Sequence, residues 1–478
     1  MALDMTSNYK SWSKAFSQPA QEFALTNLPI LSGNIPVGLR GTLYRNGPGR
    51  LQRNQQRVGH WFDGDGAILA VNFTATGATG VYRYVQTQGY QEEEAANTFV
   101  FPNYGMTARG GFWNNWLKPV KNAANTSVLA LPDRLLALWE GGLPYNVDLQ
   151  TLATRGIDNL ASLSKNQAFS AHPKVDRQTG EIFNFGVSVG SKTTLNLYSC
   201  SAEGKVKQQN CVELKGLPLI HDFVLAGEYL VFFIPPVRVK ILPVLLGLKS
   251  FSEAMVWQPK LGTEILIFDR HNLDLVARLE GEAWYQWHFT NGFVDDNGLI
   301  IIELVRYSDF QTNQYLKEVA TGKTNTAAKG TLWEIKIDLK TKQIVASTQL
   351  LDRGCEFPVV PQHLVGKSWD KTYLSIYQEG TDLSQELLNA IACYDRKTGR
   401  LSIADLGTNC YPSEPIYVPQ PDNLNQGWLI TVVYDDNDHR SEVRIYESDR
   451  LESEPVCRLG LPSVVPPSFH GTWKSGTF

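Results

Sequence analysis

Short runs of β-branched and aromatic residues, each followed by a polar turn and a further such run, recur along most of the 478 residues. This is the signature of β-hairpins. Helical periodicity is scarce. Four turns are built alike: Val175-Asp-Arg-Gln-Thr-Gly180, Val294-Asp-Asp-Asn-Gly298, Ile337-Asp-Leu-Lys-Thr-Lys342 and Tyr394-Asp-Arg-Lys-Thr-Gly399. Each opens on an Asp able to accept hydrogen bonds from its own turn amides, and three close on a Gly that tolerates positive φ. Asp295, Asp338 and Asp395 follow one another at intervals of 43 and 57 residues. Such spacing suits the four-stranded blades of a β-propeller, whose period is about 40 to 50 residues with loop insertions. No Pro- or Ser-rich linker interrupts the pattern, so residues 1–478 are expected to form one all-β domain with an N-terminal arm. The longer loops, 101–126 and 234–257, are expected to gather as a cover over one face.

Composition narrows the classes of function. Hydrophobic residues make up 43% and charged residues 19%, with a formal net charge of -4, the balance of a globular protein. No basic run of five or more residues is available to track a phosphate backbone, which argues against nucleic acid as a partner. Met1 to Gln21 is polar and lacks the apolar core of a secretory signal, so a cytoplasmic start is expected. The six cysteines show no C-x-x-C spacing and read as reduced and structural. No stretch is apolar for long enough to span a bilayer. Two segments nevertheless stand out. Ile241-Leu-Pro-Val-Leu-Leu-Gly-Leu248, with Leu245 and Leu246 at its centre, is flanked by Lys240 and Lys249. It reads either as an apolar loop after a buried strand or as a patch that dips into one leaflet, with its lysines reaching the headgroups. Phe112-Trp113-Asn-Asn-Trp116-Leu117, followed by Lys118, suits a membrane interface or a pocket rim.

The chemistry lies in the histidines. Of eight, His172, His221, His288 and His470 sit mostly among apolar or aromatic neighbours, whereas His271, His363 and His439 lie in polar turns and His60 precedes Trp61 in a Gly- and Asp-rich turn. A single buried histidine is ordinarily a core residue satisfied by a carbonyl. Four at intervals of 49, 67 and 182 residues match the way propeller strands from successive blades converge on one axis. Such a set offers four neutral nitrogen donors, which suit Zn, Cu, Fe and Ni alike. Structural zinc sites are usually closed and sulfur-rich, and no cysteine lies near these histidines in sequence, which favours a catalytic, redox-capable metal. A ligating imidazole commonly donates its other N–H to a carboxylate. Glu140, Glu356 and Glu414, each in apolar surroundings, are candidates for that task; the alternative is a strand-end Glu reaching solvent or a cation.

Together with Gly41-Thr-Leu-Tyr-Arg-Asn-Gly-Pro-Gly49, Trp61-Phe-Asp-Gly-Asp-Gly66, Ala124-Asn-Thr126, His439-Arg-Ser-Glu442 and His470-Gly-Thr-Trp473, these residues resemble the carotenoid cleavage oxygenase family over nearly the whole chain. The resemblance implies a seven-bladed β-propeller carrying one iron(II) per chain, bound by His172, His221, His288 and His470. It also implies that Glu140 orients His221, Glu356 orients His288 and Glu414 orients His470, leaving His172 without a direct carboxylate. Thr126 matches a position that shields the sixth coordination site. Two departures, Phe289 after His288 and Ser413 before Glu414, cost no ligand. The implied reaction is cleavage of a conjugated double bond of a carotenoid or apocarotenoid by O2, at the 15,15′ or a 9,10 bond, in a monomer that draws substrate from a membrane. Phe112, Trp113, Trp116, Leu245 and Leu246 would form the tunnel mouth or membrane patch. Cleavage of a phenolic stilbene, which would require a Tyr and a Lys to hold the phenol, and a non-catalytic binding scaffold are the rival readings. Asp63-Gly-Asp-Gly66 and Asp435-Asp-Asn-Asp438 lack the remaining ligands of a calcium loop, and Arg45-Asn-Gly-Pro-Gly49 lacks the Lys of a phosphate loop.

Overall fold

The computed structural model describes residues 10–108, 110, 112–116 and 118–476, without the side chain of Phe112. The four Asp-led turns form as their chemistry requires. Asp176, Asp295, Asp338 and Asp395 accept from the amides of Gln178, Asn297, Lys340 and Lys397, and Gly180, Gly298, Lys342 and Gly399 all take positive φ. Each turn therefore closes a hairpin, and the hairpins stack into antiparallel sheets.

The architecture is all-β and propeller-like. Five sheets have four to six strands and a further sheet has eight. Seven separate blades, as the resemblance implied, are not what the hydrogen bonding delivers. The eight-stranded sheet arises where Val224–Ala226 and Phe289–Val294 run parallel and pair through Ala226 and Gly292. A Cβ on Gly292 would stand 2.8 Å from the Ala226 Cβ, so glycine is what lets these two strands fuse.

Apolar side chains from each sheet pack against the next in cyclic order. One cluster joins Leu69 and Val71 to Ile430 and Val443. Others join Ile68 to Leu135, Leu136 to Ile182, and Leu195 to Phe232. The ring closes through the ends of the chain. Gly471–Ser475 pairs with Gly41–Arg50, Phe23–Asn27 adds to the same sheet, and Ile30–Gly33 pairs with Cys457–Gly460 in the neighbouring one.

Few helices are present among the described residues. Gln88–Ala96 and Gln311–Val319 lie over one face, and the short helix Ile241–Leu245 sits on a two-stranded stem, Val237–Val239 with Met255–Trp257. The loops of the cover are tied together: Ser252 N donates to Tyr104 O over 2.7 Å, and Tyr104 Oη donates to Asn313 Oδ1 over 2.8 Å.

Candidate metal centre

The four histidines reach one point because each sits just before a strand that faces the axis. His172 precedes Lys174–Val175, His221 precedes Val224–Ala226, His288 precedes Phe289–Val294 and His470 precedes Gly471–Ser475. One ligand nitrogen from each lies within 4.8 Å of every other, and Nε2 of His221 stands 3.3 Å from Nε2 of His288. Two nitrogens about 2.1 Å from one ion and at right angles stand about 3.0 Å apart, so the cluster has the size of a coordination shell. Nε2 of His172 is buried with no hydrogen-bond partner. A buried nitrogen without a partner is costly, and a metal ion would complete it.

Electrostatics favour neutral donors. Burial, reinforced by the neighbouring imidazoles, holds His172 and His221 well below the usual histidine range, and burial lowers His470 against the pull of Glu414. His288 goes the other way: burial opposes its charged form, but the charge of Glu356 and the hydrogen bond to it outweigh that and raise its pKa.

The carboxylates stand beside the imidazoles. His288 Nδ1 is 2.5 Å from Glu356 Oε2, and His470 Nδ1 is 2.9 Å from Glu414 Oε1. Glu356 also accepts from Tyr307 Oη at 3.0 Å and Phe357 N at 2.7 Å, while Glu414 accepts from Gly471 N at 2.9 Å. These bonds fix both carboxylates, and through them the rings. Glu140 differs. Its Oε1 stands 3.3 Å from His221 Nδ1 and 3.5 Å from His172 Nε2, without a hydrogen bond to either. Glu140 therefore lies between two rings and hydrogen-bonds neither. Burial, and to a lesser degree Asp222, raises the pKa of Glu140 well above the carboxylate range.

Three residues not assigned a role in the sequence hold the ligands in place. Asp222 is 3% exposed; it receives Lys174 Nζ at 2.7 Å and Phe289 N at 3.0 Å. One carboxylate therefore links the chain segments that carry His172, His221 and His288. Arg45, 1% exposed, donates to Ser468 Oγ, Glu414 O and Phe469 O. Beside it, Asn46 Nδ2 donates to Ala124 O and Ser127 O, and Asn46 N donates to His470 O. The signals were an acid next to a histidine in an apolar run and an Arg-Asn pair inside a recognised motif.

The other motifs serve close packing. Asn125 Nδ2 donates to Phe62 O and Gly64 O, and a Cβ on Gly66 would stand 2.2 Å from Ala124 O. Asp63 accepts from His60 N and Gly105 N, and Asp65 pairs with Arg53 and Lys121. The two departures also have places: Ser413 Oγ accepts from Ser468 N at 3.0 Å, and Phe289 packs edge-on against Phe233.

Two apolar chambers meet at the centre, sharing Phe62, Thr126, His221 and Trp287. The larger one, about 240 Å³, runs past Trp139, Val187, Leu219 and Phe251. The other is smaller, about 90 Å³, and is lined by Trp61, Phe357, Leu387 and several tyrosines. A separate polar cleft reaches His172, His288 and His470, with Lys174, Arg177 and Asp222 among its walls.

Trp113, Trp116, Leu245 and Leu246 line neither chamber. Their exposures are 67%, 56%, 47% and 40%. The stem lifts the helix Ile241–Leu245 away from the axis, and Phe251 lines the larger chamber in its stead. The side chain of Phe112 and all of Leu117 lie outside the described residues.

Fold and centre together define a propeller-like protein with four buried histidines able to hold a metal ion where two apolar chambers meet. The family model described as retinal pigment epithelial membrane protein matches residues 16–475. The apocarotenoid-15,15′-oxygenase of Synechocystis sp. is 31% identical over 97% of this chain and 96% of that protein. The resveratrol cleavage oxygenase 1 of Botryotinia fuckeliana is 27% identical over 95% of this chain and 84% of that one. The crystal structure of cobalt-substituted Synechocystis ACO superposes with a TM-score of 0.88 at 30% identity, covering 98% of both chains. The chain belongs to the RPE65/carotenoid oxygenase family, and it is an oxygenase.

Proposed function

We propose that this protein is a non-haem iron(II) dioxygenase that cleaves one conjugated double bond of a carotenoid or apocarotenoid. The observation that supports this most is the pair of apolar chambers joined at the four-histidine cluster, because a polyene must pass the reacting centre with a length of chain on either side. His172, His221, His288 and His470 would hold the ion, and Glu140, Glu356 and Glu414 would keep their rings aligned. Bound iron(II) would supply an open coordination position and a redox-active centre for the reaction with dioxygen, while the alkene provides the electrons. The atoms balance without a reductant: one C=C and one O2 give two C=O groups. Thr126, which borders both chambers, narrows the approach to the ion, and Phe62 and Trp287 wall the polyene in and exclude water.

A phenolic stilbene fits less well. No lysine lines either chamber among the described residues, although Tyr104 borders the larger one and Tyr307, Tyr315, Tyr377 and Tyr411 the smaller. Which double bond reacts, 15,15′ or 9,10, depends on how far the two chambers let the chain pass the histidines.

No helix among the described residues is long and apolar enough to cross a membrane. Leu242, Leu245, Leu246 and Leu248 are nonetheless exposed on and just after one short helix flanked by lysines, which supports a protein that rests on the membrane and takes up substrate there.

Purified protein reconstituted with iron(II) is expected to convert an apocarotenal into two shorter carbonyl products, with masses that identify the bond. Cleavage of resveratrol but of no polyene would overturn the reading. Substituting Leu245→Asp and Leu246→Asp is expected to reduce liposome co-sedimentation severalfold, and unchanged binding would remove the membrane patch.

A further inference from the structure

A second approach to the histidines lies on the side away from the chambers. For His221, His288 and His470 the residues just before the ligand line the chambers: Leu219 and Ile220, Trp287, and Phe469. The residues just after it, Asp222, Phe289 and Gly471, line the polar cleft instead. The chain thus passes from the chamber side to the cleft side at each of these ligands, and the cleft, about 220 Å³, leaves the cluster in the opposite direction. It also runs outward. His172, His288 and His470 are buried, whereas Arg177, another of its walls, is exposed and Gln362 is half-buried.

Across the outer end lies a strap. Residues 361–367 connect Cys355–Val359 to Lys371–Ile376, yet they are held by the neighbouring eight-stranded sheet. Asn291 Nδ2 donates to Leu364 O at 2.8 Å and to Lys367 O at 2.9 Å, and Asn291 Oδ1 accepts from Gly366 N at 2.9 Å. Gly227 N donates to Gly366 O at 2.9 Å, and Val365 packs against the apolar cluster that holds Phe223 and Leu225. From this anchored loop Gln362 Oε1 accepts a hydrogen bond from the guanidinium of Arg177, which follows Lys174–Val175 in a third sheet. Both residues line the cleft, so their bond bridges it near solvent.

The walls decide what can pass. A divalent ion loses its water at great cost in apolar surroundings, and both chambers are walled mainly by aromatic and aliphatic side chains. The cleft instead carries the carboxylates of Asp222 and Glu414, with Thr290, Asn291 and Thr472 beside them. Lys174 is matched by Asp222 at 2.7 Å, whereas Arg177 is bonded to a neutral amide. One such bond at the surface can open and close.

We propose that the polar cleft is the route by which the metal ion enters and leaves the four-histidine centre, and that the Arg177–Gln362 strap slows this exchange. The proposal rests on the metal-site part of the functional reading and is independent of the substrate. Neither strap residue is a ligand, so the strap acts on the height of the barrier and not on the depth of the well. Opening it must therefore raise the rates of entry and exit by one factor and leave Kd unchanged.

Gln362→Ala provides the test, with cobalt(II) as the probe. Metal-free protein is mixed with the ion, desalted at timed intervals and assayed by emission spectroscopy; exit is timed from loaded protein in excess chelator. Both rates are expected to rise about tenfold in Gln362→Ala, the factor that one hydrogen bond contributes, at an unchanged Kd. Arg177→Ala serves as the second variant and is expected to speed exit equally. Adding Gln362→Ala to it should change nothing further, because both substitutions break one bond. Unchanged rates in the two variants would overturn the proposal, as would a weaker Kd with entry unaltered. Phe251→Ala, which opens the larger chamber, is expected to leave both rates as they are; faster exchange there would put the path of the metal in the chamber and overturn the proposal as well. Failure of the wild type to take up cobalt(II) at all would count against the metal centre itself, whereas uptake indifferent to the strap would count against this route alone.

Discussion

Replacing His288 by alanine is expected to abolish turnover and to reduce bound metal from about one ion per chain to a small fraction of that. The substitution does two kinds of damage. It removes one of four convergent nitrogens, and no other histidine among the described residues joins the cluster to replace it. It also strips Glu356 of its imidazole partner at 2.5 Å and leaves that 8%-exposed carboxylate with Tyr307 and the Phe357 amide. The metal-free variant should therefore lose about 1–3 kcal/mol of stability, the cost of leaving a buried polar group short of a partner. Most of the sheet structure should persist, since the ring of apolar clusters between sheets is untouched. Glu356→Gln is expected to act more mildly, lowering metal affinity by about 10- to 100-fold through loss of ring alignment. Because Glu356 acts through His288, adding Glu356→Gln to His288→Ala should cost much less than the sum of the two. Metal content by emission spectroscopy, with circular dichroism as the control for folding, decides the matter. A folded His288→Ala protein with full metal and full activity would show that the centre lies elsewhere.

The largest loss of stability is expected from Lys121→Met. Lys121 is 3% exposed and its ammonium pairs with Asp65 and, at 2.6 Å, with Glu93; Arg53, equally buried, pairs with the same two carboxylates at 2.6 and 3.7 Å. Two buried cations thus balance two buried anions. Removing one cation leaves an uncompensated buried negative charge, which typically costs about 3–5 kcal/mol. The effect should show as a lower urea midpoint of the metal-free protein, and a change under about 0.5 kcal/mol, the range of a surface substitution, would disprove the assigned role.

The pH dependence has a definite sign. Burial disfavours the ionised form of Asp65, but Lys121 and Arg53 outweigh it and hold the group below its ordinary value. A carboxylate with a depressed folded-state pKa contributes stability above its unfolded pKa of about 3.9, and that contribution is lost as pH falls through the lower folded value. The gap between wild type and Lys121→Met should be widest near neutrality and should narrow in acid.

Some of this was legible in the chain. An Asp at the head of a turn and a Gly at its end act within a few residues, so the hairpins at Asp176, Asp295, Asp338 and Asp395 formed where the pattern placed them. The histidines of the cluster could be told from the others by their apolar neighbours, because the chain is buried where it approaches the axis. The loops were harder. Leu245 and Trp116 are apolar in a way that suits a tunnel mouth and a surface patch equally, and only the stem beneath the helix put Leu245 on the outside.

The sequence by itself determined the hairpins, the all-β class and the four histidines with two of their carboxylate partners, since these depend on local turn chemistry and on motifs written along the chain. Only the tertiary structure decided that Glu140 stands between two imidazoles, that Asp222 and Arg45 hold the ligand segments, and that two inner strands fuse through Gly292. Each of those outcomes rests on distances between residues far apart in the chain, which folding sets and local pattern does not encode.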